Sequence, residues 1–384
     1  MQKGFYIDVK YVEGTTSAST IRSYVQEQYN KVRPSFLVIV GDENLVAPSL
    51  PYGQETEKVT DLYYGSVDSD YFPDIYYSRM SCEKVSELEA LIEKVLQYEK
   101  YTMPDPSYLN DVLMIAGVDN WWNPRVGAPS INYATNFFFN QAHGLNNVYK
   151  YTAEPYAGCY DNINKGVGFV NYTAHGVEMG WVDPAFSTSD VSDLTNKDKY
   201  FWAIGNCCLT GDWGSDGGPC LAEAMVRARE KGAWGYIGSC PVTYWYEDYY
   251  FVVGATTVFD KMPNVTQTEE GVYEIFWKDD IYNTLSSVPF VGNLSVANAH
   301  AGSYQTTNTI ELLYYWEAYH TIGDGTVMPY RTEPTPNTVS HSETINMGLD
   351  VYTVMAEPNS YVAISKDGVL LGTATVGKSG SVDV

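Results

Sequence analysis

Apolar residues fall along the chain in short blocks that switch between strand and helix character. Residues 4–11 read as a strand. Ser17-Ala18-Ser19-Thr20 supplies a helix start that residues 21–29 continue. Phe36-Leu37-Val38-Ile39-Val40 is a short buried strand ending at Gly41-Asp42. Over residues 86–98, Leu88, Leu91, Ile92, Val95 and Leu96 recur at helical spacing. Met103-Pro104-Asp105-Pro106 breaks that pattern and marks a boundary. A second series follows: strand 112–117, helix 131–142, strands 167–172 and 200–205, helix 221–231 and strand 233–237. This alternation predicts an α/β fold, a mostly parallel sheet with helices on both faces. Ligands gather at the carboxyl ends of the strands in such sheets. After Tyr330, Arg331-Thr332-Glu333-Pro334-Thr335-Pro336 reads as a linker. Short strands then flank a turn at Lys366-Asp367-Gly368, which predicts a small β-sandwich. No internal repeat or low-complexity tract is present.

At 384 residues the chain has room for two or three domains of about 100–200 residues each. Its 45% apolar and 18% charged content excludes a disordered or fibrous protein. Twenty-three basic against 47 acidic side chains give 23 − 47 = −24, a charge that repels a phosphate backbone. Nucleic acid is therefore not an expected partner, whereas Ca²⁺ and cationic peptides are. No apolar run reaches the roughly 18 residues of a spanning helix. The 34 Tyr and 9 Trp point toward a protein that handles polymers or peptides. Cys82, Cys159, Cys207, Cys208, Cys220 and Cys240 are scattered without a CxxC pair, so neither a zinc knuckle nor a disulfide scaffold is indicated. The N-terminal residues have no signal-peptide apolar region. They read as a cytoplasmic start or as a piece of a longer precursor, and the second reading is preferred at both ends.

Two of the five histidines precede glycine. His143-Gly144 ends a helix, where a glycine cap and a cation near the negative dipole end need no further function. His175-Gly176 instead ends an apolar strand, where an imidazole can work as general base or acid. The next strand runs into Cys207-Cys208, which brings a thiol to the same edge. A thiolate nucleophile needs a nearby histidine and donors for the oxyanion. Alternation points the two cysteines opposite ways without saying which faces the site; two buried, inert thiols are the alternative. Asp119 sits past a third strand and can orient the histidine, or simply close a turn.

Asp68, Asp70 and Asp74, with a carbonyl at Phe72, match how a loop wraps Ca²⁺, although the EF-hand Gly and Glu are missing. A solvated acidic turn explains them equally well. Tyr244-Trp245-Tyr246-Glu247-Asp248-Tyr249-Tyr250 sets acids among aromatics, either to bind a Lys or Arg side chain or as a packed surface loop.

Tyr172-Thr173-Ala174-His175-Gly176, Gly205-Asn206-Cys207-Cys208 and Tyr244-Trp245 with Glu247-Asp248-Tyr249-Tyr250 together resemble the gingipains, secreted bacterial cysteine peptidases with a caspase-like core. Asp61-Leu62-Tyr63-Tyr64, Tyr315-Trp316-Glu317-Ala318-Tyr319-His320 and the stretch from Tyr361 to Leu370 extend the resemblance over nearly the whole chain. It implies a caspase-like α/β core of two subdomains, 1–106 and 107–333, the first lacking its opening strands. An immunoglobulin-like β module, 337–384, follows. It implies Cys208 as nucleophile, His175 as base and acid, Asp119 as orienting acid, and the Gly176 and Cys208 amides as the oxyanion hole. It implies Asp248 at the base of S1, with Thr173, Asn206 and Trp245 lining it. Arginine-specific relatives carry their S1 acid where this chain has Gly127-Ala128-Pro129-Ser130, so the resemblance implies cleavage after Lys. It also implies a structural calcium on Asp42, Asp68, Asp70, Phe72 and Asp74, protein and peptide substrates, and a secreted or cell-surface location. The loop Gly214-Ser215-Asp216-Gly217-Gly218 departs from the family pattern, and Glu247 is a second acid of unassigned direction. The rival reading is a degenerate peptidase core acting as a binding or adhesin module.

Overall fold

The computed structural model describes residues 3–50, 52–68, 70–257, 260–278, 283–302, 304–307, 312–346, 348 and 350–384. Its contacts divide the chain into two units, Glu13–Glu333 and the described part of 1–12 with Pro334–Val384.

In the larger unit, α1 (Ala18–Val32) begins at Ser17, whose Oγ accepts the Thr20 N–H. β1 (Phe36–Val40), β2 (Tyr76–Met80) and α2 (Val85–Glu99) follow. The second series is β3 (Asp111–Ala116), α3 (Ala128–Phe137), β4 (Asn147–Tyr151), β5 (Phe169–Thr173), β6 (Phe201–Asn206), α4 (Leu221–Arg227), β7 (Ala233–Ser239), α5 (Trp245–Val253), α6 (Ser287–Ala301), α7 (Leu312–Ala318) and β8 (Tyr319–Gly323). One eight-stranded sheet results, in the order β1-β2-β8-β7-β6-β5-β3-β4. Every neighbouring pair is parallel except β7 and β8. The sheet is thus two parallel blocks, of three and five strands, joined at one antiparallel seam. Every residue of β5, β6 and β7 is buried, so both faces are covered, as their mostly apolar sequences require. α2 and α4 pack together, and α3, α5 and α6 form a separate group.

Buried polar groups tie distant segments together. Arg79 grips Asp61 with two bonds of 2.7 and 2.8 Å. The buried Glu317 carboxylate accepts the amides of Gln54, Glu55 and Thr56 at 2.7–3.1 Å. Lys94 donates to the carbonyls of Met225 and Ala228, at the end of α4, and of Lys231 in the turn beyond it.

Some expected elements differ. Residues 5–11 form no strand: Tyr6, Ile7, Val9 and Tyr11 are all exposed, so no face is available to bury. The acidic aromatic stretch at 244–250 is not a loop; it opens the buried helix α5. The helix expected to 142 stops at Phe137, and His143-Gly144 closes a short 3₁₀ turn with Gly144 at φ 90°.

In the smaller unit, β9 (Ser340–His341), β10 (Thr353–Met355) and β13 (Ser381–Asp383) form one antiparallel sheet. β11 (Tyr361–Lys366) and β12 (Val369–Thr375) form a hairpin. Its turn places Asp367 at φ 49° and Gly368 at φ 80°, the positive pair that Asp-Gly favours.

Candidate active site

Three strands of the five-strand block end level. Ala116 of β3 is paired with Thr173 of β5, and Thr173 with Asn206 of β6. Asp119, His175 and Cys208 each follow two or three residues beyond this line, so the parallel register itself brings acid, imidazole and thiol to one edge.

Asp119 Oδ1 accepts the amides of Trp121 (2.8 Å) and Trp122 (2.6 Å), which leaves Oδ2 for His175 Nε2 at 3.0 Å. Burial works against its charge, but the Trp122 amide, His175 and the Trp121 amide outweigh it and hold the carboxyl below its usual range. With Nε2–H held by Asp119, the lone pair of the imidazole lies on Nδ1. The His175 carbonyl accepts the Tyr172 hydroxyl (2.8 Å) and the Val182 amide (3.1 Å), and Trp245 stands edge-on to its ring at 5.3 Å. The side chain itself is 44% exposed.

Cys207 is fully buried and its thiol is pushed well up by that burial. Cys208 is partly exposed. Its Sγ accepts the Thr243 amide at 3.2 Å and lies 3.6 Å from the Thr243 carbonyl. Burial raises this thiol too, against the opposing Thr243 amide. Gly176 packs onto the Cys208 segment: a Cβ there would stand 2.3 Å from the Cys208 carbonyl oxygen.

Asp248 lies in the first turn of α5 and is 5% exposed. Its Oδ1 accepts the hydroxyls of Tyr315 (3.0 Å) and Tyr319 (2.9 Å), and its Oδ2 that of Thr243 (2.6 Å). Burial pushes the carboxyl up to about 7 despite these donors. Asn206 Nδ2 joins the Asp248 carbonyl to Thr173 Oγ1, at 3.0 and 3.3 Å. Trp245 stacks on Trp122 at 5.8 Å. Glu247 faces elsewhere: it accepts the Thr307 amide (2.6 Å) and hydroxyl (2.9 Å), and His300 Nε2 lies 3.5 Å away. Thr243, Tyr315 and Tyr319 were not singled out from the sequence as pocket residues, although both tyrosines fall in motifs the sequence shares with the gingipains.

The five residues expected to hold calcium are not brought together. Asp42 Oδ2 accepts the buried Arg227 guanidinium at 2.7 Å, and its Oδ1 the Glu43 amide. Asp68, Asp70 and Asp74 share one turn, where they accept the amides of Asp70, Phe72 and Val67. Ser69 lies outside the described residues. Among the described residues no three His, Cys, Asp or Glu side chains converge as a metal site. In this arrangement neither the five residues nor the three carboxylates of the turn are gathered as ligands of one ion.

The sequence profile of peptidase family C25 matches residues 6–330. Lys-gingipain of Porphyromonas gingivalis is 48% identical over 392 aligned positions, which take in all of this chain and 22% of that protein. Gingipain R2 of the same organism is 24% identical, covering 98% of this chain and 49% of that one. The chain thus spans about a fifth of the Lys-gingipain it matches. A solved structure described only as a protease superposes with a TM-score of 0.95 at 47% identity, over 100% of this chain and 85% of that one. The crystal structure of the Arg-specific cysteine proteinase gingipain R superposes at 0.79 with 23% identity, over 96% and 81%, which shows the shared fold.

Proposed function

Because the chain belongs to peptidase family C25, we propose that it is a cysteine endopeptidase that cleaves peptide bonds after Lys. Cys208 Sγ attacks the scissile carbonyl while its proton passes to His175 Nδ1, and the Gly176 and Cys208 amides donate to the oxyanion. The carbon–nitrogen bond breaks as His175 gives that proton to the leaving amine, and a thioester remains on Cys208. Water, losing a proton to His175, attacks the thioester and releases the acid and the thiol. Asp119 orients the ring throughout and offsets the imidazolium charge.

The observation that carries the Lys assignment is Asp248. It is a buried carboxylate that holds three neutral hydroxyl donors and, among the described residues, no cation. An ammonium supplies what the hydroxyls do not, and a buried charge pair of this kind is worth about 2–5 kcal/mol when one partner is removed. Gly127-Ala128-Pro129-Ser130 offers no competing carboxylate.

The same proposal includes a structural calcium ion taken up by the turn carrying Asp68, Asp70 and Asp74, whose carboxylates, here accepting amides of that turn, would swing together with the Phe72 carbonyl around it. The Asp42 carboxylate is left to Arg227. It also includes protein and peptide substrates, a secreted or cell-surface location, and an immunoglobulin-like identity for the smaller unit.

The test is hydrolysis of matched peptide reporters with Lys, Arg or Ala at P1, in reductant and calcium, with a Cys208→Ala control. Cleavage after Lys alone, lost in the control, supports the proposal. A folded protein that cleaves none of the reporters overturns it in favour of the binding-module reading.

A further inference from the structure

One residue touches both the specificity acid and the nucleophile. Thr243 donates its hydroxyl to Asp248 Oδ2 at 2.6 Å and its amide to Cys208 Sγ at 3.2 Å. The same hydroxyl oxygen lies 3.8 Å from Cys208 Sγ, within reach of a sulfur acceptor. A hydroxyl has one proton to give. With the pocket empty it goes to the carboxylate, the stronger and nearer acceptor. Tyr315 and Tyr319 hold the other carboxylate oxygen, so they do not compete for Oδ2.

Resting on the reading of Asp248 as the acid that receives the substrate's Lys, we propose that Thr243 is a positioning residue that couples a filled pocket to the nucleophile. An ammonium on Asp248 Oδ2 displaces the Thr243 hydroxyl proton, which turns about the Cβ–Oγ bond toward Cys208 Sγ. The thiolate then has a hydroxyl donor as well as the Thr243 amide, and a donor to the charged form favours it. An apolar P1 side chain leaves the hydroxyl on Asp248 and the thiol without that help. The device raises the chemical step for cationic P1 residues beyond what their binding alone supplies.

The experiment uses n-butylammonium, a cation with the Lys side-chain length and no carbonyl to attack. Alkylation of Cys208 by iodoacetamide is timed with and without it in the native protein, in Thr243→Val and in Thr243→Ser. Inhibition of Lys-reporter cleavage is measured in parallel to establish that the cation occupies the pocket. The coupling predicts alkylation accelerated about fivefold in the native protein, the effect of one hydrogen bond, lost in Thr243→Val and retained in Thr243→Ser. Competitive inhibition without acceleration, or equal acceleration in Thr243→Val, overturns the coupling and leaves the Asp248 reading standing. No inhibition by n-butylammonium overturns that reading and the coupling with it.

Discussion

Gly176 approaches the Cys208 segment so closely that a methyl group there would lie 2.3 Å from the Cys208 carbonyl oxygen and 2.8 Å from Cys207 Sγ. Neither obstacle is the free end of a flexible chain; one is backbone and the other a fully buried thiol. Gly176→Ala must therefore push the His175 segment and the Cys208 segment apart. A displacement near 1 Å costs about 10²-fold in rate. Reporter kcat/KM is expected to fall by that order while circular dichroism stays native. A folded Gly176→Ala protein with native kcat/KM would show that this contact does not set the site.

The Asp119 carboxylate is asymmetric, and that makes a sharp test of its role. Two tryptophan amides fix Oδ1 as an acceptor. In Asp119→Asn the amide oxygen must stay there, so the NH₂ turns to His175 Nε2. The ring then accepts at Nε2 and carries its proton on Nδ1, the wrong tautomer for a base at that atom. The expected loss is roughly 10²–10⁴ in kcat with KM nearly unchanged. A variant that lost KM but not kcat would move Asp119 from orienting the ring to shaping the pocket.

The strands were legible because β5, β6 and β7 are buried on both faces and so read as mostly apolar runs without alternation. The ends of β3, β5 and β6, with Asp119, His175 and Cys208 just beyond, were legible for the same reason. The surroundings of Asp248 were not. Tyr315 and Tyr319 reach it from α7 and the antiparallel β8, and Thr243 from the loop before α5, and no local spacing announces such a meeting. Choosing between Glu247 and Asp248 also needed the helix, since adjacent helical residues point about 100° apart. Asp42 entered the expected calcium set through the resemblance alone, and its ion-pair partner Arg227, 185 positions away, leaves no local sign in the sequence.

The response to added calcium distinguishes Asp42 from the acidic turn. A ligand that binds only the folded state at a hundred times its Kd stabilises by about 2.7 kcal/mol. Chelation is therefore expected to lower the Tm, and Asp70→Ala to abolish that dependence. Asp42→Ala is expected to lower the Tm with or without calcium, because Arg227 loses one of its buried carboxylates, a fraction of the about 3–5 kcal/mol of a fully broken pair. Thermal scans in calcium and in chelator check both. A Tm indifferent to chelation in the native protein removes calcium from the turn, and a calcium shift abolished by Asp42→Ala returns Asp42 to the ligand set.

Asp248 makes binding and stability respond to pH in opposite directions. Burial raises its folded-state pKa from 3.8 to about 7, so between these values the folded protein holds a proton that the unfolded chain has lost. Its stabilising contribution is thus full below about pH 4 and fades as pH rises through about 7. Asp248→Asn, which keeps the shape without the charge, should gain Tm relative to the native protein over that interval. Binding of a P1 ammonium needs the ionised carboxylate, so KM for a Lys reporter should rise as pH falls below about 7. A reporter with uncharged norleucine at P1 should show no such rise. Paired Tm curves and KM profiles from pH 5 to 8 check both limbs. Parallel KM profiles for the two reporters would mean that Asp248 is not the group that meets the substrate's cation.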